Sequence, residues 1–157
     1  MALKVIRYLS LLLVALTLGL TFAHVLEIPG KLRLDGATWL AVQHNLYVGF
    51  GTVGAVVEVA AIVLTWLLVL MVRGRRPAFW WTLGAAVCVT AGLVDWFLLV
   101  APMNAALAVW TPETLPADWT SYRDQWETGH ALHAALFGLG FSALALALLA
   151  ETPEREA

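Results

Sequence analysis

Four long apolar runs constrain this chain more than any other feature. The hydrocarbon core of a bilayer is crossed by about 20 such residues in a helix. The first run extends from Tyr8 to about Leu26 without a charge, and the second from Leu46 to Val72 with one acid, Glu58. The third extends from Pro77 to Val100 with one acid, Asp95, and the fourth from Ala131 to Ala150 with His133. Lipid offers no partner to an unpaired backbone N–H or C=O, so the runs are expected to be helices. With their ends included, the expected spans cover about 5–26, 44–72, 77–100 and 130–150 of one domain, 1–157. The expected fold class is all-α: an integral membrane four-helix bundle.

Composition agrees. Hydrophobic residues make up 61% of the 157 and charged residues 13%, against roughly a quarter charged in soluble domains. A net charge of −2 gives no electrostatic basis for a nucleic-acid partner. The single cysteine, Cys88, excludes an intramolecular disulfide and a Cys-based zinc cage. Lys4 and Arg7, with Thr21-Phe22-Ala23, also fit a secretory signal, although the apolar run is long for one.

Charge sets the expected orientation. Both termini share a side with the middle loop, and that side carries Lys4, Arg7, Arg73, Arg75, Arg76 and Arg155. Lys31, Arg33 and Arg123 lie on the other. The positive-inside rule then puts both termini in the cytoplasm, with two longer outer loops at about 27–45 and 101–129. The expected location is the bacterial inner membrane. Ile28-Pro29-Gly30 reads as a turn. Asp35 and Asp118 read as N-caps, so the second and fourth helices should begin inside the loops. Thr111-Pro112 should open a short turn. Trp39, Trp110, Trp119 and Trp126 suit the outer interface, and Trp80 and Trp81 the inner one.

Ionisable residues within a membrane normally face protein or water. The helical period groups them into stripes: Ser10, Val14, Thr17, Thr21 and His24; His44, Tyr47, Gly51, Gly54, Glu58, Ala61 and Thr65; Gly84, Cys88, Ala91 and Asp95; Trp126, His130, His133, Phe137 and Gly140. Turned inward, these stripes make a polar pocket in the outer half of the bundle. Glu58, 14 residues past His44, is its floor about 21 Å along an ideal helix. Arg123 is the counter-ion expected for Asp95 or Glu127. The bland alternatives are helix packing for the glycines and a wet interface for His24 and His44.

Several chemistries fit such a pocket. His24-Val-Leu-Glu27 and Glu127-Thr-Gly-His130 each put a carboxylate and an imidazole one turn apart. Di-metal carboxylate bundles use a related pattern, which makes His24, Glu27, His44, Asp95, Glu127, His130 and His133 candidate metal ligands. Haem, which needs one or two axial histidines, is a second option. Absence of any cofactor, with a His or Glu as general base, is another.

Three patches carry a resemblance: His24-Val-Leu-Glu27-Ile-Pro29-Gly-Lys31, then Gln43-His44-Asn45-Leu46-Tyr47, then Pro102-Met103-Asn104 with Trp119-x3-Arg123-x2-Trp126-Glu127-x2-His130. They resemble the integral membrane family that includes the anthrone-oxygenase-like proteins. The resemblance implies an oxygenase that turns a methylene between two aromatic rings into a ketone. His130 or Glu58 would be the base, Arg123 and Asn104 would hold the oxyanion, and Trp126, Phe137 and Tyr47 would contact the substrate. His133 stands where the family pattern leads one to expect Arg. The leading expectation is a membrane oxidoreductase for a small lipophilic aromatic or quinone-like molecule. Its rival is a non-catalytic carrier or an accessory subunit of a membrane complex, with a homo-oligomer also open.

Overall fold

The computed structural model describes residues 1–152 and is all-helical. Five helices follow one another: α1 (Ala2–Lys31), α2 (Gly36–Leu46), α3 (Phe50–Val72), α4 (Ala78–Leu107) and α5 (Trp119–Leu149). All but α2 are long and apolar enough to cross a membrane. These four form a ring in which α1 packs on α3, α3 on α4, α4 on α5, and α5 back on α1.

The two ends of the bundle differ. Arg7 pairs with Glu151, and Arg75 lies 3.9 Å from the same carboxylate, so both ends of the described chain meet the α3–α4 turn. This is the terminal end. Arg155 and the rest of the charged tail, 153–157, lie outside the described residues. The opposite end holds α2, the close of α4 and the α4–α5 connection.

Small and hydroxylated residues let the helices approach, which matters because lipid-facing leucines gain nothing by leaving lipid. The α1 stripe is buried as the periodicity predicts: Ser10, Val14, Thr17, Thr21 and His24. So is the α5 stripe, from Trp126 through His130, His133 and Phe137 to Gly140. A Cβ on Gly92 would come within 2.8 Å of the Phe137 ring, and one on Gly140 within 2.9 Å of Val89. Hydrogen there sets the α4–α5 spacing.

In α4 the buried face is offset from the expected one. Ala78, Thr82, Ala85, Ala86, Val89 and Gly92 point inward with Asp95, whereas Gly84, Cys88 and Ala91 are only half-buried. Asp95 is reached by stepping four from Ala91 or three from Gly92, and small residues on both faces made the two registers equivalent in sequence.

The helix ends also differ from expectation. Pro29 lies within α1, which continues to Lys31, and the turn comes at residues 32–34. The ring of Pro29 costs one backbone bond, to the carbonyl four residues earlier. Lys31, anchored on α5, holds the last turn in place. Asp35 does cap a helix, accepting from the Thr38 backbone N–H at 2.9 Å. That helix is a separate α2, broken from α3 by a bend at Tyr47. Asp118 sits at the start of α5 without a side-chain capping bond. Thr111 opens the expected turn, its carbonyl accepting from Thr114 N–H. Both α3 and α4 contain a π-turn, at Phe50–Gly54 and Trp96–Val100. Each inserts a residue into the helical register, a distortion often found at functional sites.

Two apolar clusters result. Val14, Ala61, Val72, Ala85, Val89 and Phe137 fill the terminal half of the bundle. Trp39, Leu40, Val100, Leu107 and Trp126 tie α2 to α4 and α5 at the other end. Trp39 and Trp126 are therefore core residues, not interfacial anchors as expected; Trp80 and Trp81 are exposed at the terminal end.

Candidate functional site

A cavity of about 290 Å³ opens between the two clusters. Each wall comes from a different helix. Thr17, Thr21 and His24 come from α1, and Trp126, His130 and His133 from α5. Gln43 and His44 close α2, Tyr47 sits at the bend, and Phe50, Gly51, Gly54 and Glu58 descend α3. Trp96 and Asn104 come from α4. The π-turns flank the space, so the local unwinding of α3 and α4 coincides with the cavity.

Glu58 lies at the floor. One of its carboxylate oxygens is 3.3 Å from Nε2 of His133, and its side chain is 13% exposed. His133 stacks on Phe137, ring centroids 5.0 Å apart. Phe137 itself is fully buried beneath, so it supports the floor and does not reach the cavity as the sequence reading had it.

The wall above is aromatic. His24 and His130 face each other at 4.2 Å between centroids, and Trp126 lies 4.1 Å from His130 and 5.0 Å from His24. Tyr47 and Phe50 close the other side of His24, at 4.7 and 4.9 Å. The Trp126 indole N–H donates to Asn104 Oδ1 at 2.8 Å, which fixes both side chains at the rim. His44 makes a 2.9 Å hydrogen bond through Nε2 with the Leu107 carbonyl and joins α2 to α4.

An ion cluster sits beside this wall. Lys31, 4% exposed, reaches Glu127 at 3.0 Å and Glu27 at 3.5 Å. Its ammonium lies 4.5 Å from the Trp126 ring centre. The Tyr47 hydroxyl donates to Glu27 at 2.6 Å. Lys31 was legible in sequence only as an orientation charge, because Pro29-Gly30 reads as a turn. The Glu27-to-Lys31 spacing of one helical turn was the signal that could have found it. Arg123 is not the counter-ion expected. It pairs with its neighbour Asp124 at 2.9 Å, lies over Trp119, and does not line the cavity.

The candidate metal ligands are not brought together. His24, His44, His130 and His133 line the cavity, but Glu27 and Glu127 are held by Lys31 and Tyr47 at its edge. Asp95 is buried away from the cavity lining. Among the described residues, no three His, Cys, Asp or Glu side chains form a metal-ligand group. His24 and His130 are also too close, ring against ring, for a haem plane to pass between them. No route through a metal or haem is derived from this geometry.

Many polar atoms in this region are buried without a hydrogen-bond partner among the described residues. They include His24 Nδ1, Gln43 Nε2, Glu58 Oε1, His130 Nδ1 and both nitrogens of His133. Such atoms normally find a partner, so the cavity is suited to a guest that has hydrogen-bonding groups as well as an apolar body. No family model, curated protein or solved structure matches the chain.

Proposed function

We propose that this chain is an integral membrane enzyme that takes a lipophilic aromatic molecule into the cavity and removes a proton from an activated methylene. One observation carries the reading: a carboxylate in contact with an imidazole, Glu58 with His133, at the floor of a space walled by Trp126, Tyr47, Phe50 and Trp96. Carboxylates within spans are rare and normally functional. The aromatic wall offers stacking faces to a planar guest. The resemblance of the His24, His44 and Trp119–His130 patches to anthrone-oxygenase-like proteins supports the same chemistry.

The reaction balances without a bound redox centre. Glu58, with His133 beside it, takes the first proton from the methylene carbon, and the electron pair delocalises onto the ring oxygen. Asn104 and the cavity histidines are the groups available to hold that oxyanion. The carbanion reduces dioxygen and forms a C–O bond, giving a hydroperoxide once a proton is added. Loss of water from the hydroperoxide, with removal of the second methylene proton, leaves the ketone. Overall, R2CH2 and O2 give R2CO and H2O.

Five cations, Lys4, Arg7, Arg73, Arg75 and Arg76, sit towards the terminal end. Lys31 at the other end is neutralised within its ion cluster. The positive-inside rule therefore supports cytoplasmic termini and a cavity towards the outer side.

The test is turnover of an anthrone by detergent-purified protein, read as ketone formed and dioxygen consumed. Glu58→Gln and His130→Ala should each abolish turnover while helicity is retained. Wild-type rates in both variants would reject the site.

A further inference from the structure

The cavity is polar on one side of Glu58 and dry on the other. Towards the terminal end, Glu58 is followed by Ala61, Val14, Val89 and Phe137, all fully buried. The fully buried hydroxyls in that half belong to Thr65, Thr82 and Ser10, and that of Ser10 is isolated, with no hydrogen-bond partner among the described residues. Those of Thr65 and Thr82 are committed to carbonyls of their own helices, at 2.7 and 2.8 Å. An apolar plug of this kind gives a proton no path.

Towards the α2 end the picture reverses. The Glu27 side chain is 42% exposed and its carboxylate lies 3.6 Å from His24 Nδ1, a small side-chain movement from direct hydrogen-bond distance. The His24 ring lies against His130, and both line the same cavity as His133 and Glu58. His133 Nε2 then meets the Glu58 carboxylate at 3.3 Å. Each neutral imidazole has one protonated and one bare nitrogen, so it can accept a proton on one side and release another from the other.

We infer that Glu58 exchanges protons with one side of the membrane only, the α2 side, along a route through Glu27, His24, His130 and His133. A proton arriving on the bare nitrogen of one imidazole displaces the proton on the other nitrogen, so each group returns to its neutral form. Other charged or titratable groups border the route. Lys31 and Glu127 form an ion pair beside His24, Tyr47 bonds to Glu27, and His44 lines the cavity at the rim. Asp95 on α4 is buried outside the cavity lining, and neither of its carboxylate oxygens has a hydrogen-bond partner among the described residues. The route holds whichever molecule occupies the cavity, so it stands or falls independently of the oxygenase reading.

The experiment uses the full chain reconstituted with one orientation in lipid vesicles. The infrared carboxyl band of Glu58 is assigned by its disappearance in Glu58→Gln. The pH is then jumped on one side at a time. The band should respond promptly to a jump on the α2 side and lag behind for a jump on the terminal side. In His24→Leu the response should slow on the order of a hundredfold, the low end of what a positioned proton-transfer group contributes. The final band intensity at long times should match the wild type. Glu27→Gln, at the exposed mouth, repeats the test with a near-isosteric variant whose amide oxygen can still accept from Tyr47. Equal response times from both sides in the wild type, or unslowed responses in both variants, would overturn the proposal.

Discussion

At the scale of single residues, the most consequential correction concerns charge. Arg123 was the expected partner of the buried acids, yet Lys31 holds Glu127 and Glu27. Breaking a buried pair strands the remaining charge, at a cost of about 3–5 kcal/mol. Lys31→Met should lower stability by that order in detergent unfolding, while Lys31→Met with Glu127→Leu should recover much of the loss. An Lys31→Met variant as stable as the wild type would remove the ion cluster from the account. Glu58 was legible because a lone carboxylate in an apolar run has few bland explanations. Its contact with His133 was not, since it joins α3 to α5 and no spacing within either helix encodes it.

At the scale of elements, the period of 3.6 recovered α1 and α5 well. In each, one face has polar or small residues and the others are leucine, valine and alanine, so a single register satisfies both lipid and core. It failed in α4, where small residues occupy two faces. The two π-turns and the break at Tyr47 were not read from the sequence, although Gly49, Gly51 and Gly54 mark the first π-turn and Pro102, without an N–H, follows the second. The close approaches give a graded test. Gly92→Ala places a Cβ 2.8 Å from the Phe137 ring and should cost about 1–3 kcal/mol by overpacking. Gly19→Ala, which meets no atom within 4 Å, should be close to neutral. Equal effects of the two on thermal stability would contradict the α4–α5 packing.

The α2 cap supplies a pH dependence at the same scale. The Thr38 backbone N–H, with its hydroxyl, holds the Asp35 carboxyl below the usual carboxylate range. A lowered folded-state pKa means that the ionised form is the stabilising one. Its contribution is fully present above the unfolded value and is lost as pH falls through the folded value. Hydrogen exchange of α2 amides, corrected for intrinsic rates, should therefore accelerate on acidification into that range. Asp35→Asn, which caps without titrating, should abolish the acceleration; an unchanged profile would show that another group governs α2.

At the scale of the whole molecule, the chain is a membrane-type helix ring with a dry half and a wet, aromatic half, and Glu58 stands at their boundary. The wet half holds the cavity and the unpartnered nitrogens of His24, His130 and His133. The proton-removal step can be isolated from oxidation. Detergent-purified protein is mixed with an anthrone in D2O without dioxygen, at a pH where uncatalysed exchange is slow, and deuterium entering the methylene is followed by mass spectrometry. Wild-type protein should accelerate exchange, and Glu58→Gln should return it to the buffer rate. Exchange at the buffer rate with wild-type protein, under conditions where the ligand is shown to bind, would contradict base catalysis in this cavity.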